Sequence, residues 1–160
     1  MKDEQAENLR ALLASRNTAA LGTLHSGAPY VSMVPFVLLK DGSAFVVNVS
    51  RLAAHTNDML DDPRVSLLIT GAERADVSPL AVPRVTILGT AHQLSGNAPE
   101  YPVTKEAYIA RFPDAASIFN LGDFSLFVIT ITGARWIAGF AQARLLSPAA
   151  FAKAVTDRSD

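Results

Sequence analysis

The chain has 160 residues, of which 49% are hydrophobic and 18% charged; 14 Lys plus Arg stand against 15 Asp plus Glu, a formal net charge of −1. So much apolar mass excludes an intrinsically disordered chain, and the lack of a basic excess argues against a general nucleic-acid binder. There is no cysteine, which excludes disulfides, thiolate nucleophiles and Cys-ligated metals. The length suits a single domain, and the low charge points to surface hidden by a partner subunit.

Asp3 to Ser15 reads as a helix with Leu9, Leu12 and Leu13 on one face. The leading Met1-Lys2-Asp3-Glu4 is polar and acidic, unlike a secretory signal. Strands are predicted at Thr18–Leu24 and Pro29–Leu39. Asp41-Gly42 then makes a hairpin turn into a third strand, Ser43–Val49. Leu52–Leu60 reads as a short helix with Ser50 as its N-cap, stopped by Asp61-Asp62-Pro63. Arg64–Thr70 is a fourth strand, 71–83 a long loop of the kind that commonly carries function, and Arg84–Leu94 a fifth strand. Pro102–Phe112 and Asp114–Phe119 look helical. Phe124–Thr132 and Ala134–Ala141 read as two further strands, and Pro148–Val155 as a closing helix.

Six or seven strands with few short helices predict a mainly β fold, an antiparallel barrel with peripheral helices. In Tyr30–Val37 both alternating faces are largely apolar. One face can fill a barrel, and the other needs a helix, a cofactor or a second subunit to cover it. The longest apolar run, Leu126–Ile131, is too short to span a bilayer. A cytoplasmic protein with neither membrane nor nucleic-acid partner is expected.

Familiar catalytic motifs are missing. His25, His55 and His92 are widely spaced and no H-E-x-x-H occurs, so no metal site is expected. No G-x-S-x-G, P-loop or G-x-G-x-x-G is present, and no catalytic residue stands out. Any chemistry would come from a borrowed cofactor. The most informative stretch is Asn48–Thr56, where a strand gives way to a helix. Free amides at the helix start, the Ser50 hydroxyl, the Arg51 fork and His55 one turn on could hold a phosphate monoester. Equally, Ser50 could simply cap the helix, with Arg51 and His55 solvated. Pro35 either ends pairing at a rim or opens the sheet so that backbone groups can bond a heterocycle. Arg84, at a strand start, is a solvated charge or a cation for a phosphate or ring carbonyl. Trp136 is core, interface or a stacking platform.

Five stretches occur in an order that resembles the pyridoxamine phosphate oxidase-like family of FMN-binding split barrels, and within it the haem-utilisation branch. They are Val31–Phe36, Ser50–Thr56, Asp62–Leu68, Pro83–Ala91 and Arg135–Phe140. The resemblance implies one split-barrel domain over 1–160, with helical segments at 1–16 and 147–157. It implies a homodimer with FMN at its interface. Ser32, Met33, Val34 and Pro35 would lie along the flavin ring, and Ser50, Arg51, His55 and Thr56 around its phosphate. Arg84 and Thr86 would reach the flavin from the partner, and Trp136 would sit near the interface. The implied function is an FMN-dependent oxidoreductase acting with a small-molecule substrate or electron donor. The alternatives are a haem-binding or haem-degrading protein, whose iron ligand must come from the three histidines, and a non-catalytic flavin binder.

Overall fold

The computed structural model describes residues 1, 3–140 and 142–157. Helix α1 (Asp3–Ser15) buries Leu9, Leu12 and Leu13 as their spacing predicts, with Asp3 and Glu4 at the positive end of its dipole. The strands are β1 (Thr18–His25), β2 (Ala28–Pro35), β3 (Val37–Leu38), β4 (Ala44–Ser50), β5 (Arg64–Thr70), β6 (Arg84–Gln93) and β7 (Phe124–Ile137). All pair antiparallel, in the order β2-β1-β5-β6-β7-β4-β3.

The two ends of that order are consecutive in the chain, separated only by Phe36. The sheet therefore closes on itself as a split β-barrel. Pro35 cannot donate to a ladder, so pairing with β1 stops at Thr18↔Pro35. Phe36 turns fully inward, its amide donating to the Asn17 carbonyl at 3.1 Å. Val37 then pairs with Val46 on the opposite edge. The predicted strand Pro29–Leu39 is thus two strands serving two edges.

Leu21, Phe36, Phe45, Leu67, Ile87, Phe127, Ile129 and Trp136 fill the barrel with no exposed surface. Helices α1 and α4 (Pro148–Thr156) pack together, and α4 sends Phe151 against Phe45, ring centroids 6.2 Å apart. Ser147 caps α4, its hydroxyl accepting from the Ala150 amide. Helix α3 (Tyr101–Arg111) builds a second, smaller core outside the barrel from Tyr108, Val37, Val46, Leu94, Ala115 and Leu126. Among the described residues no helix is long and apolar enough to cross a membrane.

Two predicted boundaries are corrected. The expected sixth and seventh strands are one, because β7 runs unbroken through Gly133. The register slip that would have parted them is absorbed locally: Leu88 faces Gly133 while Gly89 faces Ile131, leaving Thr132 bulged. A short strand β8 (Ala143–Leu146), which no predicted element covers, pairs with the end of β7. Ala141, the last residue of the expected seventh strand, lies outside the described residues. The Asp41-Gly42 hairpin forms as predicted, with Asp41 accepting from the Ser43 amide and hydroxyl.

Register leaves one sheet face bare. Ala20 pairs with Met33 and Leu68, Gly22 with Val31 and Ser66, and Ser66 with Leu88. Val31 and Met33 are 68% and 64% exposed, and Leu68 and Leu88 are exposed beside them. This is the second apolar face that the β2 sequence requires.

Candidate functional site

Helix α2 (Ala54–Asp61) packs against β1. Its N-cap is Ala53, not the predicted Ser50. Ser50 ends β4, and a turn of three residues intervenes before the helix. The Ser50 hydroxyl accepts from the Leu52 amide at 3.2 Å, so it organises this turn instead of capping the helix. Its carbonyl accepts from the Ala53 amide at 3.1 Å and from the buried Thr56 hydroxyl at 2.6 Å. Arg51 fastens the turn to the loop before β7: its amide donates to Asp123 and its guanidinium to the Gly122 carbonyl at 2.6 Å.

His55 leaves this turn and meets β2. Ser32 Oγ lies 2.9 Å from His55 Nδ1, joining a residue of the expected ring strand to one of the expected phosphate turn. Burial pushes the half-buried imidazole below its ordinary 6.5, against an opposing pull from the charge of Asp58. Ring and hydroxyl share this hydrogen bond, with its direction set by the imidazole tautomer.

The remaining predicted residues divide by face. Met33 and Thr86 share the bare outer face, linked through Leu68, which pairs with Ala20 and with Thr86. Pro35 is exposed at the barrel seam, and Val34 points into the core. Half-buried Arg84 donates to the Val82 carbonyl at 2.9 Å. Trp136 is fully enclosed in the barrel core. The core is one of the places the sequence leaves open for it; the enclosed indole is shut off from a surface ligand, and its Nε1 has no partner in the core.

Sequence reasoning missed one polar cluster. Buried Asp58 accepts from Thr23 Oγ1 and from His25 Nδ1, each at 2.7 Å. Burial alone would raise its carboxyl. The Thr23 and His25 hydrogen bonds and the charges of His25 and His55 outweigh it and hold the group below 3.8. The available hint was an Asp beside Met59 on the inward side of a short helix. The partners sit 33 and 35 residues upstream, so spacing alone could not reveal them.

A flavin phosphate would find few free donors here. Thr56 is turned inward, Arg51 is held by Gly122, and His55 is paired with Ser32. The turn as folded therefore does not fit a phosphate dianion unless Arg51 releases its carbonyl.

Comparison with known families matches residues 5–137 to the pyridoxamine 5'-phosphate oxidase family. Over 142 residues the chain is 34% identical to the non-canonical heme oxygenase HOZ of the Arabidopsis thaliana chloroplast, which covers 87% of this chain and 42% of that protein. A heme binding protein from Mycobacterium smegmatis superposes with a TM-score of 0.80 at 34% identity, over 92% of this chain and 60% of its own. HutZ, a heme storage protein from Vibrio cholerae, gives 0.76 at 22% identity over 85% and 96%, a likeness of fold. The chain spans less than half of the curated relative it matches.

Proposed function

Since the chain belongs to the pyridoxamine 5'-phosphate oxidase family, we propose that it is a haem-binding protein of the haem-utilisation branch, working as a homodimer of split barrels. The observation that carries both the haem and the dimer is the bare outer face, which a second subunit and a haem held at their interface would cover together. Val31, Met33, Leu68 and Leu88 expose a continuous apolar surface around Ala20 and Gly22. On the same face Arg64 pairs with Thr90, Arg84 with Thr70 and Arg135 with Thr86, so cations edge the apolar patch; Arg64 is engaged by Asp62 and Arg84 by the Val82 carbonyl, and both would exchange those partners to meet a ligand carboxylate. A large apolar disc bearing two carboxylates is complementary to that pattern, since apolar area removes its faces from water and guanidinium forks match carboxylates. Relatives named for heme, at 34% identity, support the same assignment.

Hemin titration into the purified protein tests it. A shifted, saturable Soret band at one equivalent is expected. A spectrum indistinguishable from free hemin overturns the proposal.

FMN is the second reading, favoured by the Ser32–His55 contact that draws the expected ring strand to the expected phosphate turn. It requires Arg51 to leave Gly122 for the phosphate. FMN added in a parallel titration would then lose fluorescence on binding, and the bound flavin would supply redox chemistry at its ring. Constant fluorescence removes this reading.

A further inference from the structure

We infer that Arg135 takes a carboxylate of the bound haem and so turns the carboxylate edge of the ring towards β7. This rests on the haem reading above and gives the ring a direction on that face.

The bare face is unevenly charged. Its outward positions on β2 are Pro29, Val31, Met33 and Pro35, which offer no cation. Across the sheet from Met33 the paired row runs through Ala20, Leu68 and Thr86 to Arg135, and ends at Leu145 on β8. Arg135 therefore stands two strands, about 10 Å, beyond Leu68. It is exposed and so is Leu145, which gives its aliphatic stem an apolar neighbour while the guanidinium stays in water. Arg64 grips both oxygens of Asp62, at 2.9 and 2.5 Å, and Arg84 donates to the Val82 carbonyl at 2.9 Å. Among the described residues, the Arg135 guanidinium has no such partner. It can meet a carboxylate with both prongs of its fork and break nothing to do so.

The backbone beside Arg135 is kept bare. Gly133, two residues earlier on β7, pairs with exposed Leu88 on the same face. A glycine inside a strand weakens the sheet and marks a bulge or a close approach from outside. The bulge here falls on Thr132. Nothing within the subunit requires Gly133: its φ is not positive, and an added Cβ would meet only the Leu146 carbonyl, at 4.0 Å. By contrast, a Cβ on Gly89 would strike Ile129 Cγ2 at 2.6 Å. Gly133 thus leaves a low floor beside Leu88 and Arg135, where the edge of a flat ring can lie with its carboxylate on the guanidinium.

The test is titration of hemin, and of hemin dimethyl ester with both carboxylates capped, into the full chain and its variants, with thermal melts to verify folding. Arg135→Gln should bind hemin about tenfold or more weakly, the loss expected for a hydrogen bond between charged groups. Arg64→Gln and Arg84→Gln should each cost less. The diester should bind wild type and Arg135→Gln alike, and more weakly than wild type binds hemin, because it has no carboxylate to offer. Gly133→Val, which raises the floor, should weaken hemin and diester together. Equal hemin affinity in wild type and Arg135→Gln, or an equal loss for the diester, overturns the anchor and leaves the haem reading standing. A Gly133→Val protein that keeps wild-type affinity for both overturns the direction given to the ring. A wild-type protein that ignores hemin overturns the anchor and the haem reading together.

Discussion

Ser32 Oγ and His55 Nδ1 stand 2.9 Å apart, and this contact ties β2 to the first turn of α2 across 23 residues of sequence. It is a neutral, partly buried hydrogen bond. Ser32→Ala should therefore destabilise the fold by about 0.5–1.5 kcal/mol. Urea unfolding at pH 7.5 reads the change, and an unaltered midpoint would mean that the bond adds nothing to stability.

The same imidazole makes stability depend on pH. Burial holds the folded pKa of His55 below the unfolded value of 6.5. Below pH 6.5 the unfolded chain therefore binds more protons than the folded one at this position, so stability falls with acid. Its contribution is fully present above 6.5 and is lost as the pH drops towards the depressed folded value. Urea midpoints should fall between pH 7.5 and 5.5, and the slope should be shallower in His55→Gln. Parallel slopes in the two proteins would place the sensitivity elsewhere.

Gly42 joins a turn to a helix in a way only glycine allows. Its φ is +69°, and an added Cβ would lie 2.6 Å from Val155 Cγ2 and 2.9 Å from Ala152 Cα in α4. Gly42→Ala meets both an unfavourable backbone region and a helix that must retreat. A loss of about 1–3 kcal/mol is expected, read as a lower urea midpoint. A stability equal to wild type would show that α4 shifts without cost.

Most of the barrel was legible because its strands are apolar runs punctuated by Gly, Pro and Asp. Asp41-Gly42 gave the hairpin, and Leu9, Leu12 and Leu13 gave the buried face of α1. What failed depends on partners distant in sequence. Gly133 looked like a break between strands, but the bulge opposite Leu88 and Gly89 lets β7 continue. Ser50 has the chemistry of a cap, yet its position is set by pairing with Phe124, which keeps it in β4. Trp136 reads from sequence as core, interface or stacking platform, and only strand alternation, which points the indole inward and leaves Arg135 exposed, selects the core. The Thr23–Asp58–His25 cluster needs α2 docked on β1 before any of its members meet.

The outer face yields the last expectation. Met33 lies at its centre, paired with Ala20, and is 64% exposed in the single subunit. Met33→Glu should therefore alter subunit stability by no more than about 0.5 kcal/mol. Across a two-fold interface the substitution appears twice, and each unpaired carboxylate would have to leave water, which is far more costly. The proposed dimer should dissociate to the 17.0 kDa subunit in sedimentation equilibrium while circular dichroism stays unchanged. Val103→Glu supplies the control: Val103 is also 64% exposed but sits on α3, away from this face. It should leave the dimer intact. A wild-type protein sedimenting as a single subunit, or a dimer lost equally with Val103→Glu, would sink the assignment of this face as the interface.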